Sequence, residues 1–305
     1  MIYLDSFRFP TFEQEDDYLA GYFSALPSSM NTIYPFKVLS VKGLHSLDFE
    51  EITVLYGGNG SGKSTALNAI SNKLGLARNS VYNKGDMQHA YLSMCDYELA
   101  ESNEEEENED DELELKDKAA LITSDDIFKY MLDTRKNNAV MKRKIEKAAD
   151  EWYVRRNKNG KVSIMDIRLT SEQRAKLGLG RIQGLNRSQY VRITAGERTN
   201  TYSNGETGFM KFVESIVPNR LYILDEPENS LSCALQMELA KYIEGSARHF
   251  GCQFIIATHS PFLLAIERAK IYNLDGDPAT ISKFWELPNM KLYYDLFKGY
   301  EGKFE

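Results

Sequence analysis

The stretch Gly57-Gly58-Asn59-Gly60-Ser61-Gly62-Lys63-Ser64 decides how the rest of the chain is read. It fits G-x-x-x-x-G-K-[ST], a loop whose backbone N–H groups cradle phosphates. Ahead of it, Ile52-Thr53-Val54-Leu55-Tyr56 is β-branched and apolar, the pattern of a buried parallel strand. Behind it, Thr65-Ala66-Leu67-Asn68-Ala69-Ile70 carries apolar residues at helical spacing. Strand, glycine loop and helix together aim a row of N–H groups and the positive end of a helix dipole at one point, which makes an anion site. Glycine is required there because side chains would keep the backbone away from the phosphates. The pattern assigns Gly58, Asn59, Gly60, Ser61, Gly62, Lys63, Ser64 and Thr65 to the phosphates of a nucleoside triphosphate. Lys63 reaches the β/γ-phosphates and the Ser64 hydroxyl ligates Mg²⁺.

Two later strands end in polar clusters that belong beside such a loop. Leu221-Tyr222-Ile223-Leu224 runs into Asp225-Glu226, and a carboxylate at a strand end next to the loop is placed to organise Mg²⁺, so Asp225 takes that role. Side chains alternate along a strand, so Glu226 points elsewhere and can polarise an attacking water. Phe254-Ile255-Ile256-Ala257 runs into Thr258-His259-Ser260. A histidine at the carboxyl end of a parallel strand faces the ligand crevice, which makes His259 a candidate to contact the γ-phosphate. Tyr202-Ser203-Asn204-Gly205-Glu206 looks like a helix start and a further anion site.

The remaining chain is read in order. Met1–Phe9 reads as a strand, and residues 10–32 as a loop with a helix near Asp17–Ala25. Pro35–Val41 and Leu47–Phe49 read as further strands, with Tyr34 or Phe36 available either to the core or to stack on a base. Acidic residues crowd Asp96–Glu114, where mutual repulsion favours a solvated connector over a binding site. Thr123-Ser124-Asp125-Asp126 looks like a helix start, with Ile127, Phe128, Met131 and Leu132 on its buried face. Met141, Ile145, Ala148 and Trp152 mark a second helix. Basic residues dominate from Arg135 to Arg192, as a solvated helix face or as a phosphate-backbone contact surface for a nucleic acid. The tail, with Trp285 and Leu292–Phe297, reads as a closing strand and helix.

Composition bounds the answer without choosing it. The 305 residues carry 42% hydrophobic residues, enough for a sizeable core, and a formal net charge of −8, which disfavours a uniformly nucleic-acid-coated surface. No apolar run approaches the ~20 residues a membrane span requires. The three cysteines, Cys95, Cys233 and Cys252, form no C-x-x-C pair and read as buried, reduced thiols. With no signal-peptide pattern after Met1, a cytoplasmic location is expected.

The order of the motifs, with a long insertion between the first and the rest, resembles the ATP-binding cassette (ABC) ATPases over nearly the whole chain. That resemblance implies an α/β P-loop NTPase with a mixed sheet, flanking helices and an inserted helical subdomain. Residues 1–95 and 200–305 would form the nucleotide-binding core, and 96–200 the acidic linker with a basic helical and signature subdomain. It also implies ATP hydrolysis with Mg²⁺ in an ATP-dependent, head-to-tail homodimer. Ser203, Asn204, Gly205 and Glu206 of one subunit would cap in trans the γ-phosphate held by the other's P-loop. Asn229-Ser230-Leu231-Ser232 would cross the dimer seam, and Gln88 is the best position for the Mg²⁺-contacting glutamine.

Tyr-Ser-Asn-Gly-Glu, Asp-Glu-Pro-Glu-Asn-Ser-Leu-Ser and Ala-Thr-His-Ser-Pro differ from the forms usual in transporters. They look like those of soluble, stand-alone AAA-family ATPases in the neighbourhood of RecF, Rad50 and the OLD (overcoming lysogenisation defect) proteins. Members of that neighbourhood work in DNA repair, chromosome maintenance and antiphage defence. No long heptad coiled coil interrupts this chain, and the stretch after His259 is too short for the nuclease domain that OLD proteins append. The resemblance implies an ATPase without a membrane partner that controls an effector such as a nuclease, or a nucleic-acid complex. A slowly or non-hydrolysing ATP-bound scaffold that holds an effector protein and a transporter's nucleotide-binding subunit are the alternatives.

Overall fold

The computed structural model describes residues 1–25, 32–78, 85–100, 115–162, 184–195 and 204–303. The chain forms two compact units, one from Met1–Phe128 with Gly205–Glu305 and the other from Lys129–Asn204.

The first unit is built on two sheets. Strands β1 (Leu4–Arg8), β2 (Ser46–Asp48) and β4 (Asp96–Leu99) form an antiparallel sheet in the order β2-β1-β4. A six-stranded sheet contains β3 (Ile52–Tyr56), β5 (Ala119–Thr123), β6 (Leu221–Asp225), β7 (Gln253–Thr258), β8 (Lys270–Asn273) and β9 (Thr280–Ser282), in the order β5-β6-β7-β3-β8-β9. All neighbours in it are parallel except β8 and β9. This is the mixed α/β sheet that the resemblance implies. Strands β3 and β7 are buried at every residue, as expected of parallel strands covered on both faces. Gln253 joins the sheets: its Nε2 donates to Leu4 O at 2.8 Å, and its Oε1 accepts from the N–H groups of Tyr3 and Leu4.

Helices in this unit include α1 (Phe12–Ala25), α2 (Lys63–Lys73) and α3 (Gln88–Met94). Pro35–Val41, expected as a strand, is instead a run of turns leading into a 3-10 segment at Ser40–Lys42. The reason is Glu15, which is fully buried: its Oε2 accepts from Lys37 N at 2.7 Å and from Ser40 Oγ at 2.5 Å. Lys37 adopts φ 63°, so the segment wraps around that carboxylate and cannot extend.

The stretch 96–200, expected as an insertion, contributes β4 and β5 to the first unit. Residues 101–114 of the acidic run lie outside the described residues, but Asp96–Leu99 is a strand, with Glu98 Oε2 accepting from Ser6 Oγ at 3.0 Å. Helix α4 (Ser124–Asn159) starts as expected, Thr123 Oγ1 accepting from Asp126 N while Asp126 Oδ2 accepts from Thr123 N. It then continues for 36 residues as one helix where two were expected. No glycine or proline interrupts 124–159, so nothing in the backbone stops it. Ile127 and Met131 are buried on it, whereas Phe128 is exposed.

In the second unit, α4 packs with α5 (Arg187–Ala195) through Ala148, Trp152, Tyr190 and Ala195. Trp152 Nε1 donates to Leu185 O at 3.0 Å, which satisfies the indole's buried polar atom. The chain returns to the first unit through α6 (Asn204–Ser215), α7 (Cys233–Phe250), α8 (Pro261–Leu264) and α9 (Pro288–Gly299). Cys95 and Cys252 are buried as expected, but Cys233 is exposed at the start of α7.

Candidate functional site

The site is the carboxyl edge of β6, β7 and β3. These strands are adjacent and parallel, with Tyr56 opposite Thr258 and Asp225 opposite Ala257, so the segments that follow each strand emerge side by side.

After β3 the loop curls around its own lysine. Lys63 is 5% exposed, and its Nζ donates to Gly57 O at 2.7 Å and to Gly58 O at 3.1 Å. Gly62 has φ 101° and a Cβ there would lie 2.8 Å from Leu39 Cδ2; at Gly57 a Cβ would lie 2.4 Å from Ser61 Oγ. Side chains at either position would break the curl. Ser61 Oγ is buried and has no hydrogen-bond partner among the described residues. An orphaned buried hydroxyl in a glycine loop at a helix start suits a phosphate oxygen. Asn59, Gly60 and Ser64 are exposed at the mouth. Gly58 N donates to the carboxylate of Asp275, at 2.9 Å to Oδ1 and 3.0 Å to Oδ2.

After β6, Ser64 Oγ donates to Asp225 Oδ1 at 3.2 Å. A hydroxyl and a carboxylate this close offer two hard oxygen donors, which fits Mg²⁺ when phosphate oxygens complete the shell. Among the described residues no group of three or more His, Cys, Asp and Glu could hold a metal by itself. Burial pushes the Asp225 carboxyl above the ordinary carboxylate value and the neighbouring Glu226 adds to this, while the Ser64 hydrogen bond opposes it.

Glu226 leaves the strand through a left-handed turn, φ 48°, with its N–H still donating to Ala257 O at 2.9 Å. This turn, more than strand alternation, sets the direction of its side chain. Glu226 Oε1 lies 3.9 Å from Lys63 Nζ and 3.7 Å from His259 Nδ1, and Oε2 accepts from Asn229 Nδ2 at 3.0 Å. The structure thus brings Lys63, Ser64, Asp225, Glu226 and His259 together.

Other expected residues stand differently. Ser203 lies outside the described residues. Asn204 opens α6, and Gly205 packs on the Asn229–Ser232 loop, where a Cβ on it would lie 3.4 Å from Ser230 O and 3.1 Å from Leu235 Cδ1. Glu206 is in the first turn of α6. Gln88 begins α3 and lines a cavity with Tyr34, Thr65, Asn68 and Tyr91. Thr65 Oγ1 is 3.3 Å from Tyr34 OH. Phe36 is core: 2% exposed, it stacks on Tyr18 and meets Tyr91 edge-on.

Two carboxylates at the site went unread in the sequence. Asp275 follows β8, another strand with the same parallel edge, so its position at a strand end is the signal that could have found it. Glu228 is 4% exposed, and its Oε1 accepts from Thr258 Oγ1 at 2.5 Å and from His259 N at 3.3 Å. Burial raises its carboxyl above the ordinary value, against those two hydrogen bonds. Asp-Glu-Pro-Glu sets two glutamates on either side of a proline turn, and the second could have been suspected from that spacing.

The family model described as ABC transporter matches residues 45–229. A second, an AAA domain whose description names the AbiEii toxin of a type IV TA system, matches residues 209–265. No curated protein matches the chain. Among solved structures, the Smc head domain with an extended coiled coil from Pyrococcus furiosus, bound to the C-terminal domain of ScpA, is 15% identical. The alignment covers 82% of this chain and 94% of that one, with a TM-score of 0.38. The SMC head domain from Thermotoga maritima is 16% identical over 78% of this chain and 92% of that one, with a TM-score of 0.33. CbiO1 from Clostridium perfringens, part of the ABC transporter complex CbiONQ, is 15% identical over 76% and 80%, with a TM-score of 0.30.

Proposed function

We propose, on the premise that this chain belongs to the ABC transporter family of P-loop ATPases, that it hydrolyses ATP with Mg²⁺ and uses the cycle to control a partner. The observation that carries the reading is the direct meeting of Ser64 with Asp225, within reach of Lys63, Glu226 and His259.

Each residue has a task that its surroundings support. Lys63 is held on two carbonyls at the loop's mouth and exchanges them for β/γ-phosphate oxygens. Ser64 and Asp225 would hold Mg²⁺, which neutralises charge on the β/γ oxygens when bound. Glu226 accepts a proton from the attacking water, and His259 meets the γ-phosphate from the neighbouring strand end. Phosphoryl transfer asks mainly for positioning and charge neutralisation, and these are what the strand ends provide.

The helix start at Asn204–Glu206 is the proposed second half of the site, acting on the ATP held by another copy. Two copies would then close head to tail over two ATPs, with Asn229–Ser232 at the seam. The partner we propose is a protein effector such as a nuclease, or a nucleic acid contacting the exposed Lys142, Arg143, Lys144 and Lys147 of α4. Among the described residues no helix is long and apolar enough to cross a membrane. A cytoplasmic protein with a role in DNA repair or antiphage defence is the setting this reading favours over a transporter subunit.

Phosphate release and sedimentation, measured with and without ATP and Mg²⁺, test the proposal. Turnover with an ATP-dependent rise to a dimer is expected. A dimer with no turnover would leave a scaffold as the function, and neither would reject the reading.

A further inference from the structure

We propose that Glu228 is a positioning residue that pins the Thr258–His259 turn and holds the imidazole of His259 in its place beside Glu226. The inference rests on the preceding reading only for its kinetic consequence; the placement itself is a matter of geometry.

Glu228 is the most deeply buried acid at this edge. Its side chain is 4% exposed, against 26% for Glu226 and 50% for His259. A carboxylate is not buried without compensation. Here the compensation is concentrated on one oxygen. Oε1 accepts from the Thr258 hydroxyl at 2.5 Å and from the His259 backbone N–H at 3.3 Å, while Oε2 is buried with no hydrogen-bond partner among the described residues. A side chain kept only to fill the turn could be apolar, or could satisfy both oxygens. One that leaves an oxygen orphaned while gripping two consecutive residues of a polar turn has its role in that grip.

The ring of His259 is addressed by the same oxygen. Its Nδ1 lies 3.8 Å from Glu228 Oε1 and 3.7 Å from Glu226 Oε1. Those separations are beyond a hydrogen bond, so Glu228 holds the ring through the backbone it grips and not by a direct bond. The turn is tied further: Thr258 Oγ1 accepts from Ser260 N at 2.9 Å, and Ser260 Oγ donates to Gln236 Oε1 at 2.8 Å. Gln236 Nε2 in turn donates to Leu231 O at 3.0 Å, in the loop that begins one residue after Glu228. Removing Glu228 frees the end of this chain that carries the histidine, while Lys63 and its loop keep their own contacts.

The test compares Glu228→Ala and Glu228→Gln in the full chain. Glutamine keeps an acceptor for Thr258 and the His259 N–H; alanine does not. The chain has four histidines, so the His259 ring signals in an NMR spectrum of the nucleotide-free protein are assigned by their loss in His259→Ala. The expected result is a displaced His259 ring signal in Glu228→Ala that returns towards wild type in Glu228→Gln. In ATP turnover, kcat of the alanine variant falls about 10–100-fold, the usual loss when an orienting partner is removed. KM stays within about two-fold because the loop still binds phosphate, and the glutamine variant recovers most of the rate. An unmoved ring signal in Glu228→Ala overturns the proposal, as does a glutamine variant no better than alanine. Should the alanine variant fail to fold, Thr258→Val removes the same hydrogen bond and must displace the same signal. A wild-type protein without turnover would reject the ATPase reading and leave the ring signal to decide the role of Glu228.

Discussion

Ser64 Oγ donates to Asp225 Oδ1 across 3.2 Å, so the residue after the loop's lysine and the last residue of β6 are in direct contact. Their oxygens are held on a helix start and a strand end, and neither needs to move far to share an ion. Asp225→Asn keeps the shape and removes the charge. We expect the Mg²⁺ concentration for half-maximal turnover to rise by at least about 10–100-fold, the cost of losing even an outer partner of a metal ligand. Chelating the metal should abolish turnover in the wild type. A titration of ATPase rate against Mg²⁺ with both proteins checks this, and unchanged Mg²⁺ dependence would remove Asp225 from the cation's site.

Lys63 makes two hydrogen bonds, to Gly57 O and Gly58 O, that a phosphate must replace. Charged hydrogen bonds contribute roughly 1.5–3 kcal/mol each. Exchange for phosphate leaves only the difference between the two sets of bonds, together with the attraction of the ammonium for the phosphate charge, so Lys63→Ala should weaken ATP binding by about 10-fold. Equilibrium binding of a fluorescent ATP analogue measures it. The same variant also loses the loop's internal tie, so a thermal melt run alongside separates local loss from general unfolding.

Glu226 sits between Lys63 and His259, 3.9 Å and 3.7 Å away, in a turn that an L-residue adopts only under constraint. Glu226→Gln retains the shape but cannot take a proton. Turnover should fall about 10²–10⁴-fold, the range for a removed general base, while ATP still binds and the closed dimer accumulates. Sedimentation in ATP shows the dimer directly. Wild-type turnover in this variant would move the water-polarising role elsewhere in the site.

The parts of the fold read correctly from sequence are those where local pattern and burial agree. Ile52–Tyr56, Leu221–Asp225 and the Gln253–Thr258 strand are apolar runs buried on both faces, and each carries its polar cluster at one end, where a parallel sheet must place it. What failed was decided by distant partners. Pro35–Val41 has a strand's composition, yet a buried carboxylate 20 or more residues earlier in the chain, Glu15, folds it into turns. Glu228 and Asp275 act through contacts with Thr258 and Gly58, and no local spacing encodes which backbone a carboxylate will meet. The sequence pattern divides α4 in two because its apolar residues thin out between Leu132 and Met141, although nothing in the backbone breaks there.

Glu15 also gives the fold a pH dependence of definite sign. Burial raises its carboxyl above the ordinary value of 4.5, although the Ser40 hydroxyl, the Lys37 N–H and the Lys37 charge all oppose the rise and Asp16 adds to it. A group whose folded value lies above its unfolded one holds its proton more tightly in the native state. Its contribution is full below 4.5 and is lost as pH climbs through the raised value. Glu15→Gln keeps an acceptor for Lys37 and Ser40 and cannot ionise. Relative to wild type, the glutamine variant should become progressively more stable as pH rises above 4.5, with no gain below it. Denaturant midpoints across that range test this, and a gain confined to acid pH would reverse the assignment.

The basic segment of α4 can be tested for nucleic-acid contact, because phosphate-backbone contacts have a signature that other charge patterns lack. Lys142, Arg143, Lys144 and Lys147 are all exposed, within less than two turns of helix. If they neutralise nucleic-acid phosphates, each releases condensed counterions, and the affinity falls with salt at a slope of about −0.9 per contact on duplex DNA. Replacing all four by alanine should reduce the measured slope by about 3–4 and weaken binding to every sequence alike. The measurement is fluorescence anisotropy with a mixed-sequence duplex and a single strand, at several salt concentrations. Equal slopes for wild type and variant would show that these side chains form a solvated face and that any nucleic acid binds elsewhere.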